Sequence, residues 1–398
     1  MPTDFSATKA MFHLPAGMIY LDGNSLGPLP KAAAARVAHT VQAEWGQMLI
    51  TGWNKAGWMD KPVQVGDRIA RLIGAEAGHV VMGDTLSIKV YQALAASLEM
   101  NPGRRVILSD TGNFPSDLYM AEGLCRTLGN GYTLKTVAPE AVLDAIDDSV
   151  AVTMITEVDY RTGRRHDMAA ITARAHAHGA LTIWDLAHSA GAFGVQLAQC
   201  NADFAVGCTY KYLNSGPGGP AFIYVAPRHA DIARPALSGW QGHAAPFAFD
   251  LGYRPATGAE RMRVGTPPIL QLAALEASLD IWDNVDMTAL RVASLALTDQ
   301  FIAGIESACP TLTLATPRAH TERGSQVSFR HPEGYAIMQA MIARGVIGDF
   351  RAPDIIRCGF TPLFLDAADV AAAIAIISDI MQNNLWDTEQ YKTRQKVT

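Results

Sequence analysis

Residues 207–220 read GCTYKYLNSGPGGP, which sets Lys211 between Tyr210 and Tyr212, after an apolar run and before a turn of glycine and proline. A lysine at a strand end in a dry site gives up its proton more readily than one in water, and the neutral amine forms a Schiff base with an aldehyde. The glycines make a turn poor in side chains, which lets a flat ligand approach the backbone. Tyr210 adds a phenol beside the amine. A lone lysine is ordinarily a solvated surface group, so the reading rests on what else the chain aims at this position.

Three further stretches end strand-like runs with polar or aromatic groups. In LTIWDLAHSAGA, Asp185 closes an apolar run, where a carboxylate is costly unless a cation or donors meet it. A protonated ring nitrogen is one such cation, and His188 follows three residues later. In MGDTLSIKVYQAL a strand end runs into a helix, and the free N–H groups at Thr85 to Ser87 suit a phosphate. In FPSD, Phe114 precedes a helix-starting Pro115, so that its ring can cover a flat ligand, with Ser116 and Asp117 in the first turn. Each stretch has a plainer reading. Asp84 and Thr85 cap a helix, Phe114 and Pro115 form a hydrophobic entry, Asp117 complements a dipole, Asp185 caps a turn, and His188 is a satisfied core histidine. Together, however, they supply a phosphate cradle, a ring cover, a carboxylate for a pyridinium and a lysine for an aldehyde. Those are the requirements of pyridoxal 5'-phosphate.

Positioning these groups needs an α/β framework. HVVMGD, RVILSD, YTLKTVA, VAVTMITEV, ALTIWD, DFAVGCT and AFIYVAP read as strands, separated in most cases by helical patterns such as TLSIKVYQALAASLEM, FPSDLYMAEGLCRTLG and DMAAITARAHAHG. That alternation predicts a mainly parallel sheet of seven strands between helices, with ligands at the carboxyl ends of the strands. PLPKAAAARVAHTVQAEW and PVQVGDRIARLIGA read as helices before it, and residues 268–308 as a long linking helix broken near Asn284. TLTLATP, QVSFRHP, VIGDFRAP, DIIRCGF and two helices then predict a smaller α+β unit. The expected division is an N-terminal segment at 1–60 packing on the small domain, a large cofactor domain at 61–275 and a small C-terminal domain at 276–398.

With 38 acidic against 32 basic residues and a net charge of -6, the chain offers no broad basic field, which excludes nucleic acid and acidic membranes as general partners. The five cysteines, Cys125, Cys200, Cys208, Cys309 and Cys358, form no CxxC pair, which argues against a zinc site or a disulfide framework and predicts a reducing compartment. MPTDFSATKAMF lacks the basic-then-apolar pattern of a secretory signal, and no run is long enough to span a bilayer; a cytoplasmic protein is expected.

YLDGNSLG (20–27), WNKAGW (53–58), FPSD (114–117), DLAH (185–188), YKYLNSGPGG (210–219), GWQGH (239–243) and GTPPI (265–269) together resemble the kynureninase family, in order and spacing, from about residue 20 to beyond 360. The resemblance implies a fold-type-I pyridoxal phosphate enzyme, homodimeric, that hydrolyses the Cβ–Cγ bond of L-kynurenine to anthranilate and L-alanine in tryptophan catabolism, with 3-hydroxykynurenine as a second substrate. It makes Lys211 the Schiff-base lysine, Asp185 the partner of the pyridine nitrogen and Tyr210 the mover of protons. Phe114 stacks on the ring with His188 beside it. Leu86, Ser87, Pro115, Ser116, Asp117, Thr156, Trp240 and Thr266 complete the cofactor shell, and Trp240 or Thr266 serves a neighbouring subunit. The substrate α-carboxylate falls to Arg357 in IIRCGFTPLF, with Arg351 as competitor, and Trp53 and Asn24 join it in binding substrate. Thr266 stands where some relatives carry asparagine, and Trp53 where animal relatives carry histidine. Trp58, Trp240 and Phe247 are further candidates to line an aryl pocket. No metal is implied. The rival readings are a cysteine desulfurase or selenocysteine lyase, which differs by a histidine on the ring and a mobile catalytic cysteine, and a pyridoxal phosphate protein without catalysis.

Overall fold

The computed structural model describes residues 3–394. Its main sheet has seven strands: β1 (Val80–Met82), β2 (Val106–Asp110), β3 (Thr133–Val137), β4 (Val150–Thr156), β5 (Leu181–Asp185), β6 (Phe204–Gly207) and β7 (Phe222–Val225), in the order β1-β7-β6-β5-β4-β2-β3. Strands β2 to β6 run parallel, and β7 lies antiparallel to both of its neighbours. Every residue of β4 is buried, which a strand achieves only when helices cover both faces of the sheet.

Successive residues divide between those faces. Ile107, Val152, Ile183 and Phe204 join one apolar core, while Leu108, Ile155, Trp184 and Ala205 join the other, as the two-residue period of a strand requires. The covering helices follow the sequence patterns. α1 (Lys31–His39) and α2 (Lys61–Ile73) precede the sheet, and α3 (Leu86–Met100), α4 (Pro115–Leu128) and α5 (Met168–Ala177) lie between its strands. Helix α2 stops at Gly74, whose φ of 66° is the left-handed turn that a side chain resists. The first helix is shorter than its pattern predicts. At Thr40 the hydroxyl bonds back to the Arg36 carbonyl, and residues Thr40–Trp45 continue as a wider π-turn.

The link between the two sheets is two helices, α6 (Ile269–Trp282) and α7 (Met287–Ala308), and Asp286 caps the second by accepting from the N–H groups of Thr288 and Ala289. A four-stranded antiparallel sheet follows: β8 (Thr313–Leu314), β9 (Gln326–Arg330), β10 (Asp349–Arg351) and β11 (Ile355–Gly359), in the order β8-β9-β11-β10. Helices α8 (Gly334–Ala343) and α9 (Ala367–Gln382) complete this unit. The N-terminal chain is stitched to it, because Ile19–Tyr20 pairs in parallel with Val346–Ile347 and Leu21 accepts from the Gly359 N–H at 2.7 Å. The turn at residues 22–25 is thereby set beside β10 and β11.

Gly207 ends β6 directly opposite Phe222 of β7, and a methyl group built there would meet the buried Phe222 ring at 2.4 Å. Replacing Gly207 by valine overpacks this position, and a denaturant titration should show about 1–3 kcal/mol of lost stability. An unchanged unfolding midpoint would show that β6 and β7 can part to admit the side chain.

Candidate active site

The carboxyl ends of the parallel strands open into a cavity of about 390 Å³, and the chain supplies its walls from both sheets. Thr156 ends β4, Asp185 ends β5, and Tyr210 and Lys211 follow β6. Thr85, Leu86 and Ser87 come from the start of α3, and Phe114 and Ser116 from the start of α4. Arg351 and Arg357 reach in from β10 and β11, and Ser25 from the N-terminal turn.

At the centre, Lys211 Nζ lies 3.1 Å from His188 Nε2 and 5.9 Å from the ring centres of both Phe114 and Tyr210. Burial, and after it the Lys211 charge, hold His188 well below the ordinary imidazole value, so the ring is neutral and Nε2 accepts from the amine. The Cys208 sulfur, and then burial, push the Tyr210 phenol above its ordinary value, so it keeps its proton and is a donor. Phe114 turns one edge to Tyr160, in a T-shaped pair with centroids 5.2 Å apart, and leaves a face exposed beside the lysine.

The floor is acidic. Asp185 is fully buried, accepts from the Ala187 N–H at 2.8 Å and meets the Thr156 hydroxyl at 3.4 Å, and Thr156 itself donates to Asn113. Asp117 beside it has both carboxyl oxygens buried with no hydrogen-bond partner among the described residues. Burial and, for Asp117, the neighbouring Asp185 raise both carboxyl groups above their ordinary value, against the Lys211 charge, which lowers both. At the other end, Thr85 caps α3 without its side chain, so the first N–H groups of that helix are uncapped by it. Gly219 also lines the cavity, and a methyl group there would meet Ser215 Oγ at 1.8 Å, so this turn packs without room for a side chain. An anion seat, an exposed aromatic face, a primary amine and a cation-seeking carboxyl pair fit pyridoxal phosphate: Leu86 and Ser87 for the phosphate, Phe114 for the ring, Asp185 with Asp117 for the nitrogen and Lys211 for the aldehyde.

Of the residues expected at the site, Leu86, Ser87, Phe114, Ser116, Thr156, Asp185, His188, Tyr210, Lys211 and Arg357 line one cavity, and Arg351 lines it with Arg357. Pro115 and Asp117 do not line it, although the carboxyl of Asp117 is buried beside Asp185. Four others lie elsewhere in the chain. Trp53 stacks edge-on with Trp58, whose indole donates to Glu44 at 2.9 Å, so these two rings pack on each other and not on the cavity. Asn24 is buried with its amide against Gly359, and its neighbour Ser25 faces the cavity instead. Trp240 is exposed and packs edge-on with Phe247. Thr266 lines a second cavity of about 260 Å³ that shares Thr85 and Gly218 with the first. Ser25 and Cys208 carry no role in the sequence reading, although they lie inside YLDGNSLG and GCTYKYLNSGPGGP, nor does Tyr160, which sits in a turn. Asp349 was also missed, although the alternation in GDFRAP places it on the same strand face as Arg351.

The kynureninase C-terminal domain model matches residues 290–377. The chain is 51% identical to a kynureninase of Pseudomonas fluorescens over 397 residues, covering 98% of this chain and 95% of the relative. It is 52% identical to a kynureninase of Burkholderia pseudomallei (strain 1106a), with the same coverage. Among solved structures, a cysteine desulfurase of Thermococcus onnurineus NA1 superposes with a TM-score of 0.81 at 18% identity, covering 96% of this chain and all of that one, a likeness of fold. One from Escherichia coli gives 0.78 at 16% identity, with the same coverage. Identity above half over almost the whole length, joined to this arrangement of lysine, carboxyls and arginines, makes the chain a member of the kynureninase family.

Proposed function

We propose that the protein hydrolyses L-kynurenine, and 3-hydroxykynurenine as a second substrate, to L-alanine and the anthranilate by cleaving the Cβ–Cγ bond, within tryptophan catabolism. The observation that carries this reading is one cavity lined by Lys211, Tyr210 and the buried Asp185 together with Arg351 and Arg357. When bound, pyridoxal phosphate supplies an aldehyde that captures the substrate amine and a ring that accepts electrons from the α-carbon.

The side chains of this protein do the rest. Arg351 and Arg357 take the α-carboxylate, which turns the α-hydrogen toward Lys211. Lys211 Nζ removes and later returns protons as general base and acid, and neutral His188 steadies it by accepting a hydrogen bond at 3.1 Å. Burial raises Asp185 and Asp117, and a cation beside Asp185 would offset that cost, so this pair would hold the cofactor's ring nitrogen in its protonated form. Water adds to the aryl ketone of the substrate, and collapse of that hydrate expels the aryl carboxylic acid. The Tyr210 phenol, kept protonated by its surroundings, passes the protons of this step. Phe114 and Tyr160 close one side of the cavity to water.

We further propose a cytoplasmic homodimer, with residues 1–60 packing on the small domain at 276–398 and residues 61–275 holding the cofactor. Three features support the dimer. Trp240, Phe247, Phe249 and Leu251 are exposed together on one loop. An apolar cavity of about 670 Å³, lined by residues such as Tyr20, Leu29, Ala34 and Leu270, lies outside the catalytic groups. Trp240 is also outside the cavity of its own chain, and a second copy can present it there.

Mixing the pure protein with L-kynurenine should give anthranilate fluorescence, and Lys211→Ala should lower kcat by on the order of 10³-fold or more. Borohydride reduction followed by peptide mapping should place the pyridoxyl label on Lys211. Sulfide release from cysteine with no anthranilate from kynurenine would replace this reading by the desulfurase one. Phe114→Ala should weaken cofactor affinity roughly threefold to tenfold, read by equilibrium dialysis, since it removes a stacking face. Sedimentation of the active protein should give a dimer, and an active monomer would refute that part.

A further inference from the structure

The antiparallel register of the small sheet sets Asp349 of β10 directly opposite Arg357 of β11, and Arg351 lies two residues along on the same face as Asp349. Asp349 Oδ1 accepts from Arg357 Nε at 2.7 Å, and Oδ2 accepts from Arg357 Nη2, from Arg351 Nη2 at 2.6 Å and from the Ser25 hydroxyl. Arg357 also donates to Ser25 Oγ at 2.7 Å and to the Tyr160 carbonyl at 2.5 Å. Of the five N–H groups of its guanidinium, one is left for a ligand. The carboxylate that meets this pocket therefore finds arginines whose geometry and charge are already set by Asp349.

Asp22 completes the cluster from the N-terminal turn. Its carboxyl lies within hydrogen-bonding reach of Asp349, and one of its oxygens is buried with no partner among the described residues. Two carboxylates cannot hydrogen-bond to each other without a proton. Burial, and then the Asp349 charge, push Asp22 up to about 8, whereas Asp349 is held below its ordinary value by Arg357, against its own burial. The other titratable groups around Asp22 are Tyr20 on its own strand, Tyr212 after β6 and Cys358 on β11; burial raises all three, so they stay protonated and add no charge. Tyr160, beside the arginines, is likewise raised by burial. Two guanidiniums against one ionised carboxylate leave a single positive charge, and ionisation of Asp22 would cancel it.

We propose that Asp22 and Asp349 form a proton-sharing carboxyl pair that positions Arg351 and Arg357 and trims their charge to the one unit that a substrate α-carboxylate neutralises, so that the pocket loses its grip on amino acids when Asp22 loses its proton. This rests on the amino-acid hydrolase reading above. Asp22 and Asp349 are positioning residues: they act on the substrate through the arginines.

The test is calorimetric binding of L-alanine to the holoenzyme at about pH 7 and about pH 9, with ethylamine as the ligand that lacks a carboxylate. The wild type should bind L-alanine roughly tenfold more weakly at the higher pH beyond any change seen with ethylamine, because one charge near the carboxylate seat is lost. Asp22→Asn should match the wild type at pH 7 and lose this extra alkaline weakening, and KM for L-kynurenine should follow the same pattern with kcat little changed. If Asp22→Asn does not fold, Asp22→Ser, which also cannot ionise, carries the same expectation. The same alkaline weakening in wild type and in a folded Asp22 variant overturns the inference and leaves the hydrolase reading standing. No binding of L-alanine and no cleavage of kynurenine by the wild type at either pH overturns the hydrolase reading, and the inference with it.

Discussion

Charge taken out of water governs this molecule more than any single packing contact. A carboxylate at the end of a buried strand costs several kcal/mol unless a cation or donors meet it, and the chain places such groups at two points of one cavity. At the deep end, burial weighs on two carboxyl groups: Asp185 accepts from an N–H and a hydroxyl, whereas Asp117 beside it has no hydrogen-bond partner among the described residues. At the outer end the balance is reversed, since Arg351 and Arg357 exceed their one ionised partner, Asp349. A zwitterionic amino acid attached to a ring cofactor completes both ends at once. That match of unmet charges, more than the outline of the cavity, selects the ligand class.

The backbone delivers these groups with little freedom to misplace them. Parallel strands bring Thr156 and Asp185 level with each other, because they are register partners on β4 and β5. The small sheet does the same for the arginines, through the Asp349 and Arg357 pairing. Its seat against the large domain is itself polar: Ser325 donates to the Ala192 carbonyl at 2.9 Å, and Gln326 to the carbonyls of Asp159 and Tyr160. Polar contacts of this kind carry a geometric requirement that apolar packing lacks, so the arginines are fixed relative to Lys211 even though they come from a different sheet.

Much of this was legible in the sequence because buried parallel strands write themselves as unbroken apolar runs, and the polar residue that ends each run falls at a place where ligands bind. Asp185 closes such a run, and Phe114 and Lys211 follow shortly after the ends of β2 and β6, whereas Thr156 is reached only through the family resemblance. The residues that lie away from the cavity of their own chain share a different history. Trp53 and Asn24 lie in the N-terminal segment, whose path depends on pairing with Val346 and Ile347 more than three hundred residues away, and no local pattern reports that pairing. Trp58 pointed at an aryl pocket by composition alone, whereas its indole is spent on Glu44. Asp349 escaped notice because an acid between a glycine and a phenylalanine reads as an ordinary turn residue until the register sets it opposite an arginine.

The fold does not by itself choose between carbon–carbon hydrolysis and sulfur transfer, since cysteine desulfurases superpose on this chain at under one-fifth identity. The side chains do. Sulfur transfer needs a thiol that reaches the substrate and ionises readily. Cys358 lies inside β11, and burial drives its thiol far above the ordinary value. Cys208 borders the cavity but is buried too, with its thiol raised by the same cause. A protonated, enclosed thiol is a poor nucleophile. Neither thiol is placed or ionised for sulfur transfer, and the group that stands beside Lys211 Nζ is the Tyr210 phenol, its ring centre 5.9 Å away.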